Sequence, residues 1–339
     1  MRLARPLTIA ALSLLATLAL SACGGSSSSK STITLYSGQH EQTTALLVKT
    51  FEKQTGIKVE VRSSDEATLG SQILQEGGAS PADVFFTENT PVLELLREKG
   101  VLAHVSPATL SAVPSRYDST QGDWVGVSAR VSALVYNTGM LKAGEVPSSV
   151  LQLAEPKWKG KVGFAPSETD FQPLVTSIEK LDGRAAAERW LKGLQANGKI
   201  YPDNETVVSQ VNNGQSAVGP INHYYWYRLR EELGQGGTHS ALHYYAAGDA
   251  GDLINVSGAA VLESSSHQAA AQRFLAFLVS EKGQQTLAHS NSFEYPLRPG
   301  VSAAPGLRPL DQLKSNSLTP AQLGDGSAPL AMEQRLGLL

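Results

Sequence analysis

The chain contains one cysteine, Cys23, in 339 residues. With a single thiol, a disulfide, a cysteine-ligated zinc site and an iron–sulfur cluster are excluded. Charge of one sign is also missing, since 28 Lys and Arg against 31 Asp and Glu leave a net charge of −3. That is not the basic field a nucleic-acid binder requires, and no nucleic-acid partner is expected. Beyond the first residues there is no long apolar run, no repeat at solenoid spacing, and no nucleophile elbow, HExxH pair or P-loop. The chain therefore does not read as an enzyme, and a metal-assisted hydrolase lacks its usual signature.

What is present begins at the N-terminus. Arg2 and Arg5 precede an apolar run from Leu7 to Leu20, the layout of an export signal. The run is shorter than the roughly 20 residues a bilayer span needs. It ends in Leu20-Ser21-Ala22-Cys23, which has the form of a lipoprotein cleavage site. Residues 1–22 are thus expected to be a signal peptide, Cys23 the lipidated anchor, and 23–31 a flexible, Ser-rich linker. The expected location is extracytoplasmic, on a membrane surface.

The body reads as repeated strand and helix units. Ile33–Tyr36, 57–61 and 82–86 have strand character, and 44–53, 68–75 and 91–99 have helical spacing, with Gly56 and Gly100 as stops. Further strands are expected at 126–127, 132–136, 161–164, 217–221 and 253–262, and helices at 184–194 and 268–280. Such alternation argues for α/β sheets covered by helices.

Three places carry candidate chemistry. His40 follows the first strand, where open α/β sheets collect ligands, although a lone loop histidine is usually without function. Glu88 holds the equivalent position after the third strand and alone reads as a carboxylate near a helix N-terminus. The run Asn222-His223-Tyr224-Tyr225-Trp226-Tyr227 puts three tyrosines beside a histidine. It suits either aromatic packing or a hard trivalent cation, which favours anionic oxygen. His223 is expected to point away from such a site. His104, His239, His243, His267 and His289 lie in unrelated contexts, and Tyr244-Tyr245 reads as packing.

Together these segments resemble the ferric-ion-binding protein family, the iron(III) members of the bacterial periplasmic substrate-binding proteins. The resemblance runs through Tyr36–His40, Ala82–Glu88, Arg130–Asn137, Ile221–Trp226 and Ser257–Leu262. It implies a two-lobed α/β periplasmic-binding-protein fold, with mixed sheets, flanking helices and a ligand cleft between the lobes. The lobes are expected at 32–130 with a return at 253–302, and at 131–252, with 303–339 packing on the second lobe.

The implied cargo is Fe(III), with His40, Glu88, Tyr224 and Tyr225 as metal ligands and an anion or water completing an octahedron. Two phenolates and one carboxylate offset the charge of a ferric ion. A free phenol has a pKa near about 10, so the metal must displace both protons. The resemblance further implies Arg130 as a cation close to the metal and Asn204 and Asn222 as anion contacts. The turn Pro166–Phe171 departs from the family's small Ser-Gly turn by carrying Glu168, Thr169 and Asp170. Either carboxylate is expected to replace an external anion or repel it, unless the turn is simply solvated. The implied partners are an ABC permease and its ATPase, with the binding protein a monomer. An oxyanion or polyamine is the alternative cargo for the same fold.

Overall fold

The structure, a computed structural model, describes residues 31–339. The expected signal peptide, Cys23 and nearly all of the linker lie outside them. Strands β1 (Thr32–Gly38), β2 (Lys58–Ser63) and β3 (Val84–Thr87) run parallel with β1 in the middle. The helices Glu41–Thr55 and Glu66–Glu76 connect them. The first helix stops at Gly56, whose φ of 74° is a left-handed cap conformation that costs glycine nothing. The second is opened by Asp65, whose carboxylate accepts from the Thr68 N–H at 2.9 Å, a cap contributing about 1 kcal/mol.

Strand β4 (Val125–Asn137) joins the two halves. It has 13 residues, all buried, and changes partners part-way. Val125–Val131 pairs antiparallel with β9 (Ile254–Val261), and Ser132–Tyr136 pairs antiparallel with β7 (Val218–Asn222). The two short strands expected at 126–127 and 132–136 are therefore one strand. Both faces are buried, so Ser128, Arg130 and Ser132, which alternate with Val127, Ala129, Val131 and Ala133, lie inside the fold and not in solvent. Strands β5 (Val162–Phe164), β6 (Gly198–Ile200), β8 (Ser240–His243) and β10 (Tyr295–Pro296) complete the sheet. Its main path runs β2-β1-β3-β9-β4-β7-β5-β6.

Separate cores lie on either side of the partner switch. One gathers Ile33, Leu35, Phe51, Val84, Phe86, Val127, Val256 and Phe274; the other gathers Leu134, Phe164, Phe171, Trp190, Leu191 and Val218. The segment after residue 302 serves both. Ala304, Leu307 and Leu313 enter the first core, while Met332 and Leu338 enter the second. The Asn316 N–H donates to the Asp252 carbonyl at 2.6 Å, which ties this strap to the chain's return crossing. Among the described residues no helix is long and apolar enough to cross a membrane.

Candidate metal centre

Parallel pairing of β1 and β3 brings their C-terminal ends to one edge of the sheet, so that the residues just beyond them are neighbours. His40 follows β1, where Gln39 accepts from the His40 N–H at 2.7 Å and donates to Ser257 Oγ at 3.0 Å. Glu88 follows β3. Its loop is held by Glu66, a buried carboxylate at the start of the helix Glu66–Glu76. Glu66 accepts from the backbone N–H groups of Glu88 and Asn89, each at 2.9 Å, and from Asn89 Nδ2 at 3.0 Å. The Thr87 hydroxyl donates to it as well. Gly38 makes room for this arrangement, since a Cβ there would fall 2.5 Å from Glu66 Cβ.

The opposite wall comes from the helix His223–Gly237, which starts directly after β7. Its first turn presents Tyr224 and Tyr225, with ring centroids 4.1 Å apart. The Tyr224 hydroxyl donates to Glu88 Oε1 at 2.7 Å, and His40 Nε2 lies 3.2 Å from the same oxygen. The His40 ring is 5.3 Å from that of Tyr224 and 6.4 Å from that of Tyr225. Residues distant in sequence therefore converge: His40, Glu88, Tyr224 and Tyr225 form one cluster. Among the described residues no three His, Cys, Asp or Glu side chains form a metal-holding group by themselves. Only with the phenols is there a ligand set of metal-binding size.

Electrostatics prepare the imidazole and carboxylate but leave the phenols neutral. Burial pushes His40 down to about 4, so at neutral pH it offers a lone pair. Burial works against the Glu88 carboxylate, but His40, the Arg130 guanidinium and the Tyr224 hydrogen bond outweigh it and hold its pKa below the usual range. Both phenols are pushed well above their ordinary value, by burial first and then by neighbouring carboxylates.

Arg130 sits in β4 beside the partner switch and is fully buried. Its NH1 lies 3.0 Å from Glu88 Oε1, and its NH2 donates to Asn89 Oδ1 at 2.7 Å and to the Glu88 carbonyl. On the facing turn, Thr169 Oγ1 accepts from Asn89 Nδ2 at 3.2 Å. Asn204 Nδ2 and Asn222 Nδ2 donate to the two oxygens of Asp170, at 2.8 and 2.7 Å. Glu168 is partly exposed, and its carboxyl is raised by burial and by Asp170 and Glu205. The turn therefore faces other protein groups and is not simply solvated.

His223 points away, as expected. Its Nδ1 accepts from the Val131 N–H at 3.1 Å and its Nε2 bonds to the Phe293 carbonyl at 2.9 Å, so neither nitrogen is free for a metal. Two neighbours went unread in the sequence. Glu66 lies two residues before the helix expected at 68–75 and opens the observed one, and no signal short of the fold marks it. Arg228 lies with its guanidinium 4.9 Å from the Tyr224 ring centre; its position four residues after Tyr224 was the available signal.

The family model for bacterial extracellular solute-binding proteins matches residues 47–317. The chain belongs to that family. This solute-binding protein is 39% identical to the Fe(3+)-binding periplasmic protein of Serratia marcescens, over 86% of each chain. Among solved structures it resembles iron-bound HitA from Pseudomonas aeruginosa, with a TM-score of 0.87 and 43% identity over 91% of this chain and 99% of that one. A Trichodesmium protein in complex with iron and citrate has a TM-score of 0.79 and 29% identity, covering 90% of this chain and 99% of that one. The fold is thus the mixed α/β, two-lobed architecture of periplasmic binding proteins.

Proposed function

We propose that this solute-binding protein captures ferric iron in the cleft between its lobes and delivers it to an ABC importer. The lobes correspond to 32–130 with 253–302, and to 131–252. His40 and Glu88 from the first and Tyr224 and Tyr225 from the second serve as ligands. The observation that carries the reading is the meeting of Tyr224 and His40 on one oxygen of Glu88. Two phenolates, a carboxylate and a neutral imidazole suit a hard trivalent ion in both charge and donor type. An oxyanion would instead meet Glu88, Asp170 and Glu168. The relatives that bind iron by name agree with this cargo. The protein binds and hands over without chemical conversion. It acts as a monomer outside the cytoplasm, held to the membrane by lipid on Cys23, with a permease and ATPase as partners.

Metal analysis and visible spectroscopy of the purified soluble part test the proposal. Loaded protein should hold one ferric ion and absorb visible light through phenolate-to-iron charge transfer. Tyr224→Phe and Tyr225→Phe should each weaken binding at least about tenfold, or roughly 1.4 kcal/mol, and shift or remove the band. An unchanged spectrum and affinity in both variants would exclude the tyrosine pair.

A further inference from the structure

Gln39 links the His40 loop to a carboxylate outside the ligand cluster. Its amide nitrogen donates to Ser257 Oγ at 3.0 Å and to Glu294 Oε2 at 3.5 Å, and its amide oxygen accepts from the His40 N–H at 2.7 Å. Glu294 is fully buried, and the Ser128 hydroxyl donates to the same Oε2. Ser257 in turn donates to the Thr87 carbonyl at 2.7 Å, one residue before Glu88. The network thus lies under the loops that carry His40 and Glu88, anchored on β4 through Ser128 and on β9 through Ser257.

Both hydrogen bonds of Glu294 are received and none is given, which suits an ionised carboxylate. Such an acceptor decides which way the Gln39 amide faces: the NH2 group turns to Glu294, and the oxygen is left for the His40 N–H. Glu294 also stands beside Arg130. In the antiparallel register of β10 and β4, Tyr295 lies opposite Ala129, so the next pair along is Glu294 and Arg130. Burial raises the pKa of Glu294, and the Arg130 charge leads the groups that oppose it. Glu294 Oε1 and Arg130 Nε are both buried without a hydrogen bond among the described residues. On its other side Arg130 meets Glu88 Oε1, the oxygen that iron would draw upon.

We propose that Glu294 is a positioning residue of the iron site: it fixes the Gln39 amide that holds the His40 loop, and it keeps a negative charge beside Arg130 when iron draws on Glu88. The proposal rests on the ferric reading above and extends it to a residue with no hydrogen bond to any proposed ligand. Groups that orient metal ligands in this way typically change metal affinity by about 10- to 100-fold. Removing a buried negative charge near a ferric ion, or slackening its imidazole, also makes the metal a stronger electron acceptor. Phenolate-to-iron charge transfer then needs less energy.

Wild type, Glu294→Gln, Glu294→Asp and Gln39→Met are compared by chelator competition for ferric iron and by visible spectroscopy of the loaded protein. Glu294→Gln keeps the size and removes the charge. It should lose about tenfold or more in affinity, and its charge-transfer band should move to longer wavelength. Glu294→Asp keeps the charge, and should hold the wild-type band and lose less affinity. Gln39→Met should weaken binding too, and its combination with Glu294→Gln should cost less than the two single losses added together. The band is the decisive readout, because general loosening of the fold weakens binding without changing the colour of the iron that is bound. Wild-type affinity and band in Glu294→Gln overturn the proposal and leave the ferric reading standing. An affinity loss with an unmoved band overturns it as well. If Glu294→Gln does not fold, Gln39→Met decides, and wild-type affinity there overturns the proposal. Wild type that binds no iron overturns the ferric reading itself.

Discussion

Tyr224 and Tyr225 hold their protons in the metal-free protein because burial and the nearby carboxylates both oppose the phenolate. His40, pushed down to about 4, is already neutral at pH 7 and has no proton to lose. Loading near neutrality should therefore release two protons per iron, both from the phenols. The apparent affinity should rise about a hundredfold per pH unit between pH 6 and 8, which chelator competition can measure. A slope of zero would mean that no phenol ligates. His223 is pushed down to about 3 by burial, so its unfolded form takes up a proton from roughly pH 6.5 while the folded form resists until about 3. Its own contribution to stability is lost as pH falls through that window, while the raised carboxyls of Asp118 and Asp252 contribute in the opposite sense.

At the scale of elements, the helix Glu66–Glu76 acts through its first residue on a loop more than 20 positions away. Glu66→Ala leaves the N–H groups of Glu88 and Asn89 unpaired inside the fold, at roughly 1–3 kcal/mol each. We expect lower stability together with weaker iron binding, because the loop that aims Glu88 is released. Glu66→Gln keeps the size and one acceptor, and should fall between Ala and wild type in both chelator competition and thermal melting. If Glu66→Ala lowered the Tm but left iron affinity and the visible band untouched, Glu66 would be structural only.

The same scale shows what could be read from residues alone. Strands β1 and β3 and the helix Glu41–Thr55 were legible because apolar runs, helical spacing and Gly56 all agree. His40, Glu88 and the tyrosine pair were legible as a set only through a family resemblance, since each has an ordinary reading by itself. Strand β4 divides into two expected pieces because Ser128 and Arg130 break its apolar run, although their alternation with Val127, Ala129 and Val131 has the period of a strand. Glu66 is harder still. Its role depends on donors from Glu88 and Asn89, which only the chain path brings to it.

For the whole molecule, contacts across the cleft link the two lobes: Tyr224 to Glu88 and Thr169 to Asn89. On the proposed ligand set, iron would add bonds from both walls, so the loaded protein should favour this closed form. Small-angle scattering should give a smaller radius of gyration with iron than without, and equal radii would separate closure from loading. The strap after residue 302 enters both cores, with Asn316 at the return crossing. Asn316→Ala should cost stability in the metal-free and loaded forms alike, measured as matching falls in Tm.

The bond from the Tyr224 hydroxyl to Glu88 also has a kinetic consequence. A proton links the walls at the oxygen that the proposed iron site would use, so the bond would hold the empty protein shut. The capture rate should then scale with the fraction of molecules in which the bond is broken. Removing the hydroxyl would take away the latch along with the proposed ligand. Tyr224→Phe should thus bind iron faster at first contact and lose it far sooner, a protein quick to fill and unable to keep what it takes.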